Sequence, residues 1–182
     1  MHKQQPQRAL AESPRIYLRR LSGADALEHY LDWLNDKEVQ RYTRRRGSTS
    51  SMEDLRLFLR HAETTTDYHL AICLKDSHKH IGNISLNSID ARNKSAELSI
   101  MLGDRSEWGK AYGREAVELL TQFAFLELNL HRVWAESPNP AFNKLMLHCG
   151  WTREGIKREA FLFEGKFIDL ECWSRLSHEK SK

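Results

Sequence analysis

The sequence predicts a mixed α/β fold: a mostly antiparallel, twisted sheet of about seven strands with helices on both faces. Two observations predict it. The middle of the chain alternates apolar and polar residues with a period of two, which is typical of strands. The segments on either side carry apolar residues at the 3.6-residue spacing of helices. A chain of 182 residues has room for one ordinary domain.

The N-terminal part is predicted to begin the sheet and to form the first helix. Residues 1–14 are polar, include two prolines and are interpreted as a flexible tail. Residues 15–21 alternate as a short strand, and residues 25–34 carry leucines and a tyrosine at helical spacing. Residues 41–51 break the periodicity and are interpreted as a basic loop.

A second helix is predicted directly after the basic loop. Ser51 with Asp54 and Ser50 with Glu53 both match a capping box, in which the first side chain accepts from the amide three residues later. Either pair begins a helix that carries Leu55 on its apolar face.

The middle of the chain is predicted to be an antiparallel meander. Residues 68–74, 80–89 and 96–102 alternate as three strands, and DSHK and ARNK supply the two turns between them.

Helical periodicity then returns, and the chain closes with a hairpin. The predicted elements are a helix over 115–128, a strand over 132–136, a helix over 140–148 and two strands over 152–163 and 167–176, joined by the turn EGK. Asn139 is a possible N-cap with Pro140 in the first helical position, and Gly150 lies just beyond the end of that helix. We therefore expect one domain over residues 15–176 and a short tail over 177–182.

Composition excludes several classes of protein. Apolar residues make up 40% and charged residues 29%, which excludes wholesale disorder. No stretch approaches the roughly 18 apolar residues of a membrane span, and no apolar leader is visible, so we expect a cytoplasmic protein without a membrane partner. Cys73, Cys149 and Cys172 lack metal-ligand spacing, so no metal site is expected. A net charge of +3 is too small to predict nucleic-acid binding.

The most informative segment is GDRSEWGKAYGR, residues 103–114. Gly109 and Gly113 lie where a strand passes into a helix, and glycine lets the backbone approach a ligand closely. A helix N-terminus adds unpaired amides and partial positive charge, which favours phosphate. Lys110 and Arg114 add cationic side chains. Taken alone, the pattern also fits an ordinary strand–helix turn.

The surrounding residues resemble the GNAT acetyltransferases, in particular their RimJ/RimL-like members. WGKAYGREA resembles the pyrophosphate-binding loop of that family, HIGNISL and AELSIMLG precede it, and FAFLELNLHRVWA and NPAFNKLMLHCGWTREG follow it in the family's order. The resemblance covers roughly residues 15–176. It implies an N-acetyltransferase that uses acetyl-CoA, with coenzyme A as product and a primary amine as acceptor.

The resemblance also implies which residues contact the cofactor. The positions expected to contact acetyl-CoA are Met101, Leu102, Trp108, Gly109, Lys110, Ala111, Tyr112, Gly113, Arg114 and Asn139. A backbone amide of a bulged strand near Met101 and Leu102 is expected to hold the oxyanion. Asn139 is expected to contact the pantetheine arm, to cap its helix, or to do both.

Some positions depart from the family pattern. Trp108 stands where many relatives have Gln or Arg, and Ala111 replaces the first motif glycine, so we expect it to keep a negative φ. Met146 stands where many relatives have the tyrosine that protonates the leaving thiolate, and Phe142 where RimJ/RimL-like sequences often have serine. The general acid is therefore unassigned. Ser137 is a weak candidate, because a serine before a proline is ordinarily structural.

Glu97 is the candidate general base. It lies eleven residues before Trp108, the spacing that places the catalytic glutamate of some GNAT enzymes on the strand before the loop. A carboxylate can take the proton of the attacking amine directly or through water. The alternative is a solvent-facing glutamate on an alternating strand.

The acceptor stays open at this stage. Trp33, Asn35 and Asp36 match the region that lines the acceptor site in related enzymes, although Trp33 also fits a core position. Arg41 is a further candidate for substrate binding, because its charge would suit a nucleotide-linked sugar. The amine could belong to a protein N-terminus, an amino sugar or a small amine such as a polyamine. A non-catalytic acyl-CoA-binding or sensor module is the alternative to an enzyme. Either could be a monomer or a homodimer.

Overall fold

The computed structural model describes residues 8–179, and it confirms the predicted mixed α/β fold. The strands are β1 (Ala11–Glu12), β2 (Ile16–Arg20), β3 (Tyr68–Leu74), β4 (His80–Asp90), β5 (Ser95–Leu102), β6 (Arg132–Ser137), β7 (Thr152–Phe163) and β8 (Lys166–Leu176). The helices are α1 (Glu28–Asn35), α2 (Lys37–Gln40), α3 (Met52–Thr64), α4 (Tyr112–Leu126) and α5 (Pro140–His148). Short 3₁₀ turns occupy Gly23–Asp25 and Arg105–Glu107.

All eight strands form one sheet in the order β1-β2-β3-β4-β5-β6-β8-β7. Every neighbouring pair is antiparallel except β5 and β6, which are parallel. The parallel pair is also short. It joins residues 95–97 to residues 132–134, although β5 continues to Leu102 and β6 to Ser137.

Helices cover both faces of the sheet, and alternate residues of β3 pack against the two helical layers. Leu70 and Ile72 of this strand pack into a core with α4 and α5, whereas Ala71 and Cys73 pack against α1 and α3. Successive residues of a strand point to opposite faces, so a strand that is buried on both faces reads as a continuous apolar run.

Capping residues set the helix bounds. The amide of Asp54 donates to Ser51 Oγ at 3.2 Å, and the Asp54 carboxylate accepts from the Ser51 amide at 2.8 Å. The capping box therefore begins at Ser51 rather than Ser50. Asn139 caps α5 by accepting from the Ala141 amide at 2.9 Å, and Gly150 beyond its end has a φ of 73°.

The structure differs from the predicted layout at two short elements. The expected tail of residues 1–14 contains β1, which pairs with β2. Residues 1–7 of that tail lie outside the described part of the chain. The expected tail of residues 177–182 is described only to Glu179, where it forms a turn. Helix α2 is also additional, and Asp36 caps it by accepting from the amides of Glu38 and Val39. Within residues 8–179, no helix has the length and apolar character that crossing a bilayer requires.

Candidate active site

The principal cleft opens where β5 and β6 diverge. Their ladder ends at residues 97 and 134, and the strands beyond that point enclose a cavity of about 450 Å³. Its lining residues come from α2 and the segment after it, the ends of β5 and β6, the loop before α4 with the first turn of α4, and α5 with its N-cap: Glu38, Val39, Tyr42, Thr43, Ile100, Met101, Leu102, Trp108, Gly109, Gly113, Ser137, Asn139, Ala141, Phe142 and Leu145. A second cavity of about 410 Å³ adjoins it at the N-terminus of α4.

The loop before α4 has the backbone of an anion-binding cradle. Gly109 and Ala111 both have positive φ, 78° and 65°. Among the described residues, nothing accepts a hydrogen bond from the amides of residues 109–114. Alternating left-handed residues turn successive amides toward one side, and the helix N-terminus adds its partial charge. The expectation that Ala111 keeps a negative φ is therefore wrong, because the chain uses the left-handed conformation there despite the Cβ atom.

The cationic side chains of this loop are largely paired with acids. Lys110 Nζ lies 2.8 Å from Glu107 Oε2, and this hydrogen bond raises the pKa of Lys110. Arg114 Nε lies 2.9 Å from Glu118 Oε1. Arg114 and Tyr112 line the second cavity, whereas Lys110 is not among the residues that line either one. The backbone of the loop is therefore the main contribution to an anion site.

Polar backbone groups of Leu102 face the cleft. The Leu102 carbonyl accepts from the indole Nε1 of Trp108 at 2.9 Å. The Gly103 amide donates to the Ile81 carbonyl in β4 at 3.0 Å, and neighbouring residues of an antiparallel strand alternate in direction, so the amides of Leu102 and Ile100 point away from β4. Over residues 98–102, β4 and β5 keep a regular register. Directly after Leu102, the amides of Gly103 and Asp104 both donate to the Ile81 carbonyl at 3.0 Å, so the two-against-one pattern of a bulge lies just beyond the expected position.

The start of α5 borders the opposite side of the cleft. Besides capping α5, Asn139 lines the cavity and donates its amide to Ser137 Oγ at 3.1 Å. Phe142 lines the cavity as well. Met146 does not, because its side chain is fully buried in the core between α5 and the sheet.

Glu97 is half-buried on the face of β5 that carries Ser99 and Met101. Burial raises the pKa of Glu97, the charge of Glu136 raises it further, and Arg44 and Lys157 oppose them. Glu136 lies on the same face of β6 and forms an ion pair with Lys157. The structure therefore places Glu97 in a charged cluster beside the cleft, and not among the residues that line the cleft itself.

A third cavity of about 200 Å³ lies on this face of the sheet and shares Thr43, Ile100 and Met101 with the cleft. Its other lining residues are Leu21, Phe58, His69, Leu70, Asn83, Ile84, Ser85 and Ser99. We call it the side pocket. Its polar groups are neutral: two serines, a threonine, an asparagine, and His69, whose pKa burial lowers. The buried Nδ2 of Asn83 has no hydrogen-bond partner among the described residues.

Trp33, Asn35 and Arg41, predicted at the acceptor site, are not among the residues that line the principal cleft or the side pocket. Trp33 is buried in the core under α1, against Gly103. Asn35 exchanges two hydrogen bonds with the backbone of Ser50, at 3.0 and 2.8 Å. Arg41 is exposed at the rim, 3.9 Å from Glu38 Oε2.

The sequence analysis did not predict the four residues that line the cleft near α2. They belong to α2 and the segment after it: Glu38, Val39, Tyr42 and Thr43. The signal that could have found them is Asp36, an N-cap residue type placed directly before this short helix.

Aromatic contacts join the segment after α2 to the tip of the β7–β8 hairpin. Tyr42 stacks on Phe163 with ring centroids 5.1 Å apart and an interplanar angle of 7°. The Arg46 guanidinium lies 4.0 Å from the centre of the Phe161 ring. We call these four residues the aromatic bridge. Because Tyr42 also lines the cleft, the bridge forms part of its outer wall.

Known proteins share the sequence pattern and the fold of this chain. Residues 15–152 match the family profile described as acetyltransferase (GNAT) domain. The uncharacterized N-acetyltransferase p20 of Bacillus licheniformis is 35% identical over 111 residues, which cover 60% of this chain and 62% of that relative. A GNAT-family acetyltransferase from Bacillus anthracis superposes with a TM-score of 0.81 at 20% identity, covering 93% and 99% of the two chains. Spermidine N-acetyltransferase from Vibrio cholerae, solved with CoA and spermine, superposes with a TM-score of 0.81 at 23% identity, and the match covers 91% of this chain and 97% of that one.

Proposed function

The chain belongs to the GNAT acetyltransferase family, and we propose that it transfers the acetyl group of acetyl-CoA to a primary amine. The observation that carries this proposal is the divergence of β5 and β6 beside a cradle of six successive amides without partners among the described residues. The cradle fits a pyrophosphate, because it offers many N–H donors and little side-chain charge. The cleft next to it is mostly apolar, which fits an acyl-bearing arm.

The cofactor site is proposed to run along the divergence. Residues 109–114 would bind the pyrophosphate, and Asn139 and the end of β5 would border the pantetheine arm. Acetyl-CoA supplies an activated acyl group that an amine can attack without a covalent enzyme intermediate. The amides of Ile100 and Leu102 are directed into the cleft, where a fixed N–H donor stabilises the oxyanion that develops on the carbonyl.

Glu97 is proposed to accept the proton of the attacking amine through water. Two residues of a strand span about 7 Å, so Glu97 is one such step from Ser99 in the side pocket and two steps from Met101 in the cleft. That separation is too long for direct transfer and suits a water relay. Burial raises the pKa of Glu97, which makes its carboxylate a stronger base.

The side pocket supports an acceptor whose remaining part is neutral and polar. Hydroxyls, an amide and a neutral imidazole match carbonyl or hydroxyl groups, whereas a second ammonium group would need a carboxylate. The acidic residue that lines the principal cleft, Glu38, lies 3.9 Å from the Arg41 guanidinium. We therefore infer a peptide N-terminus or an amino sugar rather than a polyamine, although a structural neighbour acts on spermidine.

Release of the free CoA thiol, measured with a panel of amines, tests the function. We expect turnover with alanine amide, a short alanyl peptide or glucosamine, and a lower kcat/KM with spermidine. A preference for spermidine would contradict the neutral acceptor but not acetyl transfer. Tight binding of acetyl-CoA without turnover on any amine would contradict the enzyme and favour a non-catalytic acyl-CoA-binding module.

A further inference from the structure

The hydroxyl of Ser137 lies at the point of the cleft where an acyl donor would react. Ser137 ends β6, is 9% exposed and lines the principal cavity. The ladder pairs residue 95 with 132 and residue 97 with 134, so its register, continued past the divergence, brings Ser137 level with Ile100. Ser137 therefore faces, across the open cleft, the strand whose amides are proposed to hold the oxyanion.

The Ser137 hydroxyl has a proton to donate. Its oxygen accepts from the Asn139 amide at 3.1 Å, and within residues 8–179 no acceptor is in place for its own proton. A serine hydroxyl is one donor and two acceptors, so this geometry leaves the donor directed elsewhere. Because Ser137 lines the open cleft, this proton is available to a group that binds there.

Other side chains around the cleft are less suited to this role. The indole N–H of Trp108 is used by the Leu102 carbonyl, and the Thr43 hydroxyl bonds to the Gln40 side-chain oxygen at 2.6 Å. The Tyr42 ring is stacked on Phe163 in the outer wall. Met146 is buried in the core and has no dissociable proton.

We propose that the Ser137 hydroxyl donates a hydrogen bond to the sulfur that leaves during acetyl transfer, an inference that rests on the proposed function. The amine nitrogen forms a bond to the carbonyl carbon, and the carbon–sulfur bond breaks with its electron pair remaining on sulfur. The amine proton passes to Glu97 through water. Ser137 keeps its own proton and stabilises the thiolate by hydrogen bonding. The thiolate then takes a proton from solvent, and Glu97 releases the amine proton to solvent.

Replacing Ser137 by alanine and by threonine tests the proposal. Ser137→Ala should lower kcat roughly 10- to 100-fold, the size of a hydrogen bond to a charged group, with little change in the KM for acetyl-CoA. Ser137→Thr keeps the hydroxyl and should retain most of the activity. Ser95→Ala, on β5 and outside the lining of the cavities, is the matched control and should behave as wild type.

A spectroscopic readout separates this role from a purely structural one. The ultraviolet absorbance of the thiolate reports the pKa of the thiol in bound CoA, and a hydrogen bond to the thiolate lowers that pKa. We expect Ser137→Ala to raise it by about one to two pH units relative to wild type. An unchanged thiol pKa would overturn the proposal, even if kcat falls. This titration needs CoA binding alone, so it still tests Ser137 if no amine is turned over and the proposed function fails.

Discussion

At the scale of single residues, Ala111 shows how the site shapes the backbone. An L-residue with a Cβ atom loses roughly 1–2 kcal/mol in the left-handed conformation, yet Ala111 adopts it at a φ of 65° to begin α4. This conformation directs the neighbouring amides into the cradle. The conformational strain of Ala111 therefore lies where a ligand would bind.

Ala111→Gly should therefore stabilise the protein. Glycine adopts positive φ without strain, and after its larger unfolded-state entropy is subtracted we expect a gain of about 0.5–1 kcal/mol in the free energy of unfolding. Urea denaturation measures it. Ala62→Gly, inside α3, is the control and should lower stability. A loss of stability in Ala111→Gly would show that residue 111 is not left-handed.

Glu97 carries the second prediction at this scale. Glu97→Gln should reduce kcat by about 10²–10⁴-fold with nearly unchanged affinity for acetyl-CoA. The base works only when ionised, and burial raises its pKa, so wild-type activity should fall as the pH drops through that raised pKa. The defect of the variant should shrink at high pH, where the acceptor amine is already neutral.

Exposed Glu127 supplies the control, since Glu127→Gln leaves the charged cluster around Glu97 intact. A Glu97→Gln enzyme with near-normal kcat at neutral pH would remove Glu97 from the mechanism.

At the scale of elements, the longer helices and strands were predictable and the shortest ones were not. The strand predicted over residues 68–74 coincides with β3, because a short apolar run that ends at a turn is typical of a strand buried on both faces. Strand β1 has two residues and α2 has four, too few to show a period. That gap in prediction matters, because α2 and the segment after it line the cleft.

The loop before α4 shows the same limit. Its glycines predicted an anion site, but the sequence alone could not show that Lys110 is paired with Glu107, because the pairing depends on how the loop folds back.

Gly113 in the first turn of α4 gives a prediction at this scale. A Cβ atom there would lie 3.4 Å from Leu102 Cδ1 and 3.6 Å from Leu145 Cδ2, so alanine fits but a branched side chain must fill the cleft. Gly113→Val should weaken acetyl-CoA binding roughly tenfold or more, the size of a 1–3 kcal/mol steric cost. Gly113→Ala should lose much less. Calorimetry on folded variants measures both, and equal affinity of Gly113→Val and wild type would contradict the cofactor site.

At the scale of the whole molecule, the order of the longer elements was predictable, but the contacts between distant segments around the cleft were not. The parallel pairing of β5 with β6 and the contact of Tyr42 with Phe163 join residues far apart in the chain. Periodicity reports local burial and carries no information about such partners. Trp33, for which the sequence allowed either the acceptor region or the core, lies in the core.

The aromatic bridge predicts a coupling between two distant segments. Tyr42→Ala and Phe163→Ala should each raise the KM for the acceptor and leave the KM for acetyl-CoA nearly unchanged, because both open the same outer wall. The KM of the double variant for the acceptor should be little higher than that of either single variant. In unfolding experiments, the two substitutions should show a coupling energy of about 0.5–1.5 kcal/mol. Phe167→Ala, an exposed aromatic on the same hairpin, is the control. Additive changes in the free energy of unfolding would show that the stack of Tyr42 on Phe163 contributes nothing to stability.

The two edges of the sheet determine how copies of this chain can meet. One edge is β1, only two residues long, and the other is β7, whose register with β8 shifts between Arg153 and Gly155 and again between Lys157 and Phe161. Charged side chains are frequent along β7 as well. Short, irregular and charged edges are poor templates for a further strand. Within residues 8–179, both edge strands are therefore poorly suited to extend the sheet from one molecule into the next.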